Sequence, residues 1–227
     1  MASTNRCTYC GKEFAKARTL QVHLCEPKRR YLQKDEKWVV NAFMVFQRFY
    51  QIHQHNSKTK TYDEFVKSAY YNAFVKFGRF IMHIDPLYPD KYIDFVLRSK
   101  IKLDHWARDD LYETYLIEAL KTEPVEAALQ RSITTMMDWA AEQNAQWSDY
   151  FRLVNTNRAV QHIQQGKISP WLLLGCSAGK RMLKSFNDEQ LQMIERFINP
   201  SFWPSKLKSY PADHMLVQDT AREAKIV

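Results

Sequence analysis

Apolar residues along this chain recur every three or four positions in one block after another, and almost nowhere at every second position. Between Lys34 and Gln54, Trp38, Ala42, Val45, Phe49 and Ile52 step by 4, 3, 4 and 3, the spacing that lines one face of an α-helix. Val39, Phe43, Phe46 and Tyr50 widen the stripe, so burial over much of this helix's girth is expected. The polar tract HQHNSKTK reads as a loop. Thr61 then opens a helix with capping-box spacing to Glu64, and the pattern runs on to the stop signal DPLYP at residues 85–89.

The same reasoning predicts helices over 90–100, over 104–121 and over 123–143, the last capped by Thr122 with proline in its first turn. Another is predicted over 148–165, ending at Gly166 in the C-cap position, and a short one starts at Ser169-Pro170. Asn187 caps the last, over 188–198. No segment sustains strand alternation, and no internal repeat or low-complexity run interrupts the blocks. The expected fold class is all-α, a multi-helix domain at 31–227 of seven or eight helices, preceded by a small module at 1–30. The helical domain holds nearly all the large apolar residues and is expected to fold without that module.

Composition narrows this picture. Five glycines among 227 residues argue against all-β architecture and glycine-rich nucleotide loops, which need positive φ angles. The net charge is +8, and residues 1–37 hold nine Lys+Arg against four Asp+Glu, so +5 of it lies there. Such an excess points to a polyanionic partner. There is no basic-then-apolar leader and no apolar run of about 18 residues, so a cytoplasmic chain without a membrane partner is expected.

Candidate chemistry concentrates in CTYCGKEFAKARTLQVHLCE, residues 7–26. Three of the chain's four cysteines fall within its first 25 residues, a clustering that favours metal over disulfides in a cytosolic chain. Cys7 and Cys10 form a CxxC knuckle, and thiolate and imidazole are the ligands tetrahedral zinc prefers. With Phe14, Leu20 and His23 the order C-x3-F-x5-L-x2-H resembles the two-cysteine, two-histidine zinc finger. That resemblance implies a small core of Phe14 and Leu20, and His23 reaching the metal from a helix. It departs from the family at the end, where Pro27, Lys28 and Arg29 stand in place of a second histidine. Cys25 is the substitute expected to complete a Cys7, Cys10, His23, Cys25 site for one structural Zn2+. The other reading leaves Cys25 free and the site incomplete. A one-residue gap does not fit a regular helical turn, so the helix must loosen at Leu24, with Pro27 suiting a chain leaving it.

The resemblance places the family's base-reading positions at Lys16, Thr19 and Val22. Valine offers a base edge no hydrogen bond, so phosphate contact is the expected mode, through Lys12, Lys16, Arg18, Lys28, Arg29 and Arg30. A solvated linker face is the plainer reading of the same charges.

Two motifs in the second half are decoys. GCSAG, residues 175–179, matches the nucleophile elbow, but that motif needs a strand-to-helix turn over a parallel sheet, and adjacent Asp213 and His214 make poor relay partners. GCSAGKR also lacks the spacing and the Ser/Thr of a phosphate loop. A helix–turn–helix junction is expected there, with Gly175 and Gly179 allowing close packing and Cys176 buried. His53, His55, His83, His105, His162 and His214 are scattered, and Asp104, Asp109 and Asp110 beside His105 read as caps and solvated carboxylates. YYNAFVKFGRF and FWPSKLKSY interleave bases and aromatics, a mixture that can stack nucleobases or, more plainly, bury rings and expose lysines.

Through the finger running into CEPKRRY, through KISPWLLL and through NDEQLQMIERFINPSFW, the whole chain is similar to a group of zinc-finger proteins of large contractile-tailed bacteriophages of marine bacteria. The resemblance implies a host-cytoplasm setting of phage replication, late transcription or packaging, and no activity. The expected function is a non-enzymatic accessory protein, with no catalytic residues, that binds nucleic acid weakly or non-specifically through the finger and a protein partner through the helices. The alternative is a protein-interaction or assembly module in which zinc is purely structural and no nucleic acid is bound.

Overall fold

Polar caps break the long apolar blocks into short helices. The computed structural model describes residues 5–53 and 58–226, and among them are fifteen α-helices and one two-stranded sheet, so the protein is all-α. The strands are β1 (Asn5–Arg6) and β2 (Glu13–Phe14). The helices are α1 (Ala17–Val22), α2 (Glu26–Leu32), α3 (Lys37–His53), α4 (Tyr62–Lys67), α5 (Tyr71–Ile84), α6 (Pro89–Arg98), α7 (Asp109–Thr122), α8 (Val125–Gln143), α9 (Tyr150–Leu153), α10 (Thr156–Gln164), α11 (Pro170–Gly175), α12 (Ser177–Leu183), α13 (Asp188–Ile198), α14 (Trp203–Ser209) and α15 (Pro211–Glu223). The expected helix end at Gln54, and His55, lie outside the described residues. Among the described residues no helix is long and apolar enough to cross a membrane.

The count exceeds seven or eight for local reasons. The block from Thr61 to Ile84 divides because Ser68 turns extended (ψ 134) and its hydroxyl accepts from the Tyr70 amide at 3.1 Å. The break brings the rings of Phe65 and Tyr71 to 4.7 Å, although six residues of unbroken helix would place them on different faces. The block over 148–165 divides at Asn155, whose side chain accepts from Asn157 N–H and starts α10. Trp106 follows a 3-10 turn at Leu103–His105, so the helix expected from Asp104 begins at Asp109. Proline in the first turn initiates α2, α14 and α15, three helices the periodicity does not announce.

The chain divides into two compact units, residues 1–112 and 113–227, with the boundary inside α7. In the first, α3 and α5 pack closely at Gly78, where any Cβ would strike the Trp38 carbonyl and the Ala42 amide. Around them Phe46, Phe65, Phe74, Phe77 and Trp106 make a cluster of tilted and edge-to-face rings with centroids 5.1–6.4 Å apart. The buried stripe of α3 is Val39, Ala42, Val45 and Phe46, while Val40 and Met44 are exposed. The helix is therefore amphipathic and less enclosed than its sequence suggests.

The second unit is built around α11, of which Pro170, Trp171, Leu172, Leu173 and Gly175 are buried among α8, α12, α14 and α15. Beside it lies a buried polar network. Arg131 donates to both oxygens of Glu123 (2.6 and 2.8 Å) and to the Gly166 carbonyl (2.7 Å), and Ser169 Oγ donates to Glu123 Oε1 at 2.9 Å. Gly179 packs so closely on the Leu173 backbone that a Cβ there has no room. The GCSAG segment is thus a helix–turn–helix junction, with Cys176 buried and its sulfur accepting from Gly179 N–H. No strand feeds it, so the elbow geometry is absent.

Candidate metal centre

A tight hairpin places the first two ligands. β1 pairs antiparallel with β2, Asn5 opposite Phe14 and Arg6 opposite Glu13. Gly11 takes φ +72 in the turn, which a side chain would strain, and its N–H donates to the Cys7 carbonyl at 2.8 Å. The backbone amides of Cys10 and then Tyr9, directed at the Cys7 sulfur, lower its thiol pKa, while burial opposes them. Burial instead raises that of Cys25.

The remaining ligands come from the exit of α1. His23, at φ −68 and ψ 119, has already left the helix, and Cys25, at φ −82 and ψ 163, caps the start of α2. Alternate residues of extended backbone point to the same side, which is how a one-residue gap presents an imidazole and a thiolate together. The loosening at Leu24 is present, but Pro27 sits in the first turn of α2 and starts a helix instead of marking an exit. The His23 ring lies 4.7 Å from that of Phe14, and Phe14 and Leu20 are half-buried.

The four ligand atoms of Cys7, Cys10, His23 and Cys25 lie within 4.8 Å of one another. Cys7 Sγ and Cys25 Sγ are 3.9 Å apart, and Cys10 Sγ and His23 Nε2 are 3.3 Å apart. A tetrahedron with metal–sulfur bonds of about 2.3 Å and metal–nitrogen bonds of about 2.0 Å spaces such pairs by roughly 3.8 and 3.5 Å. These two pairs match that spacing and the donor set is one that could hold a metal ion; all four cysteines of the chain are free thiols.

The six basic residues singled out from the sequence separate into two groups. Lys12, Lys16 and Arg18 are exposed and form no ion pair among the described residues; Lys12 lies 5.6 Å from the Phe14 ring centre. The other three hold the module's own structure. Lys28 Nζ donates to the His23 carbonyl at 3.0 Å, and Arg29 grips both oxygens of Glu26 at 2.7 and 3.0 Å, lowering the pKa of that carboxyl. Arg30 turns inward. It donates to Glu26 and to the Val66 carbonyl on α4, and its guanidinium lies 4.2 Å from the Tyr71 ring centre. Tyr62 OH donates to the Arg30 carbonyl at 2.8 Å, and Tyr31 OH donates to Asp63, which pushes the Tyr31 pKa up to about 12. These ties between α2 and α4 join residues about thirty positions apart, and no local pattern announces them.

Elsewhere the mixed basic–aromatic stretches serve packing. Tyr71, Phe74 and Phe77 are buried, while Lys76 and Arg79 face outward. Lys206 does the reverse: its ammonium sits 5.1–5.9 Å from the ring centres of Trp171, Phe202, Trp203 and Tyr210 and donates to the Lys121 carbonyl. Burial lowers its pKa. Asp109 and Asp110 lie in the first turn of α7, with Asp110 paired to Arg108. Comparison with protein-family models, with curated proteins and with solved structures returns no match.

Proposed function

We propose that residues 5–32 form a zinc-structured basic module that associates with nucleic acid through phosphate contacts, and that the protein is a non-enzymatic accessory factor. Three thiolates and one imidazole in a closed tetrahedron favour zinc among divalent ions and leave no open position for chemistry. Cys7, Cys10, His23 and Cys25 would hold it, and its role is to fix the fold of a segment with almost no core. The observation that carries the reading is the distribution of charge. Residues 1–112 hold 20 Lys+Arg against 12 Asp+Glu, hence +8, whereas residues 113–227 hold 13 of each. The entire excess belongs to the unit with the metal cluster, and Lys12, Lys16 and Arg18 stand exposed around it. The neutral second unit is assigned to a protein partner, in the phage setting the sequence resemblance implies.

Titration of DNA and RNA across a salt series tests this. Replacing Lys12, Lys16 and Arg18 together with alanine leaves ligands and module core untouched. Zinc content should stay at one per chain while the slope of log affinity against log salt falls by about 0.7–0.9 for each phosphate no longer neutralised. Unchanged affinity and slope would refute the reading. A second one then leads, favoured by Val22 at 76% and Leu24 at 60% exposure: a protein-interaction module in which zinc is purely structural.

A further inference from the structure

Between the metal knuckle and helices α2 and α4 lies an open cleft of about 680 Å³, within the range of roughly 300–1,000 Å³ that ligand sites occupy. The knuckle contributes Tyr9 to its lining, α2 contributes Tyr31, and α4 contributes Asp63 and Lys67. Tyr9 is 43% exposed, a large aromatic surface on a module of this size. It is also held in place. Its ring lies 5.3 Å from that of Tyr31, which lies 5.6 Å from Tyr62, which in turn lies 5.3 Å from Phe43. The exposed ring thus ends a run of aromatics reaching towards the core of the first unit, and Tyr31 is fixed by its bond to Asp63.

Charge decides what such a platform suits. Both carboxylates at the cleft are engaged, Glu26 by Arg29 and Arg30 and Asp63 by Tyr31. Lys67, in the lining, is exposed and forms no ion pair among the described residues. A fixed aromatic face beside an exposed cation is the combination that binds unpaired bases and their phosphates. The alternative, reading a duplex groove, suits this module poorly. α1 has only six residues, about 9 Å of helix, and ends in exposed Val22, which has no donor or acceptor for a base edge.

We infer that this cleft takes an unstacked base of single-stranded nucleic acid against Tyr9, with Lys67 on a flanking phosphate. The inference rests on the nucleic-acid reading above and narrows it to single strands.

The test is fluorescence anisotropy at low salt with a short oligothymidylate and with a duplex of equal length. Tyr9→Ala should weaken single-strand binding about tenfold, the scale of removing one base–aromatic stack, and leave duplex binding and zinc content unchanged. Tyr9→Phe should keep wild-type affinity. Lys67→Ala, outside the metal module, should lower the single-strand salt slope by about 0.7 and leave the duplex slope unchanged; where Tyr9→Ala disturbs zinc, an equal fall on both probes overturns the assignment of the cleft to single strands. Single-strand binding that survives Tyr9→Ala, or an equal loss on duplex, overturns the base-stacking inference and leaves phosphate binding standing. A wild-type protein that binds neither probe removes both.

Discussion

The two units reach a defined structure by opposite means. In the second, a helix of five buried residues, Pro170, Trp171, Leu172, Leu173 and Gly175, lies at the centre, acidic and basic residues balance, and a buried carboxylate is answered by three donors. In the first, the N-terminal stretch 5–32 has one buried residue, the metal-ligand candidate Cys7. A segment without apolar core must take its folding energy from elsewhere. The contrast gives a reason for the charge excess and the candidate metal cluster to share this stretch. With almost nothing to bury, this stretch can be mostly exposed and basic, provided the ligands fix its backbone.

The largest effect should therefore come from removing the metal. Chelation, or Cys25→Ser, should abolish amide protection across the hairpin and α1, because metal binding in small zinc modules is worth about 10–16 kcal/mol and is folding energy. Hydrogen exchange should show α8, α10 and α11 unchanged. α2 is the informative element. Its first turn is capped by Cys25, but Arg30 and Tyr31 tie its second half to α4 and Tyr71. Partial loss of protection from Glu26 towards Leu32 is expected. Protection of α1 that survives metal removal, or loss reaching α11, would break the contrast between the units.

A smaller effect, confined to the other side, is expected from Glu123→Ala. The Glu123 side chain is fully buried and the Arg131 side chain 18% exposed, and deleting one partner of such a pair typically costs about 3–5 kcal/mol because the other charge is stranded. Denaturant unfolding should register that loss while zinc content and nucleic-acid affinity stay at wild-type values. A shift below about 1 kcal/mol would show that the Gly166 carbonyl and the remaining contacts of Arg131 suffice to hold it.

How much of this could be read beforehand follows the range of the interactions. The four-residue cluster was readable because ligand type and spacing are local, and so were the caps at Thr61 and Asn187, both of which form complete capping boxes. The extended link from His23 to Cys25 was only half readable: the gap demanded a break at Leu24, yet Pro27 looked like an exit and is a helix start. The subdivision of 61–84 needs the meeting of Phe65 with Tyr71, and the inward turn of Arg30 needs Val66 and Tyr71 to be close to it. Both are consequences of tertiary packing. Lys206 shows the same limit, since nothing in FWPSKLKSY announces that its ammonium turns in among four rings, Trp171 among them, some 35 positions away.

The smallest effect sharpens the comparison through pH. His162 in α10 is buried in the second unit, its Nδ1 2.7 Å from the hydroxyl of fully buried Tyr150. Burial, reinforced by the positive charges of Arg158 and Lys167 and partly offset by Glu142, lowers its pKa from 6.5 to about 4. The folded protein therefore keeps this imidazole neutral at pH values where the unfolded chain already binds the proton. Since the unfolded state binds more protons, stability falls as pH drops from about 6.5 to about 4 and is level outside that window, for a total on the order of 3 kcal/mol. Acid also competes for the thiolates and imidazole of the metal cluster, so global unfolding would mix two causes. Amide exchange resolved to α10 separates them. His162→Gln retains a hydrogen-bonding partner for Tyr150 and cannot titrate, so the slope in α10 should vanish while the acid loss of α1 persists. A slope in α10 that survives His162→Gln would place the second unit's acid sensitivity elsewhere.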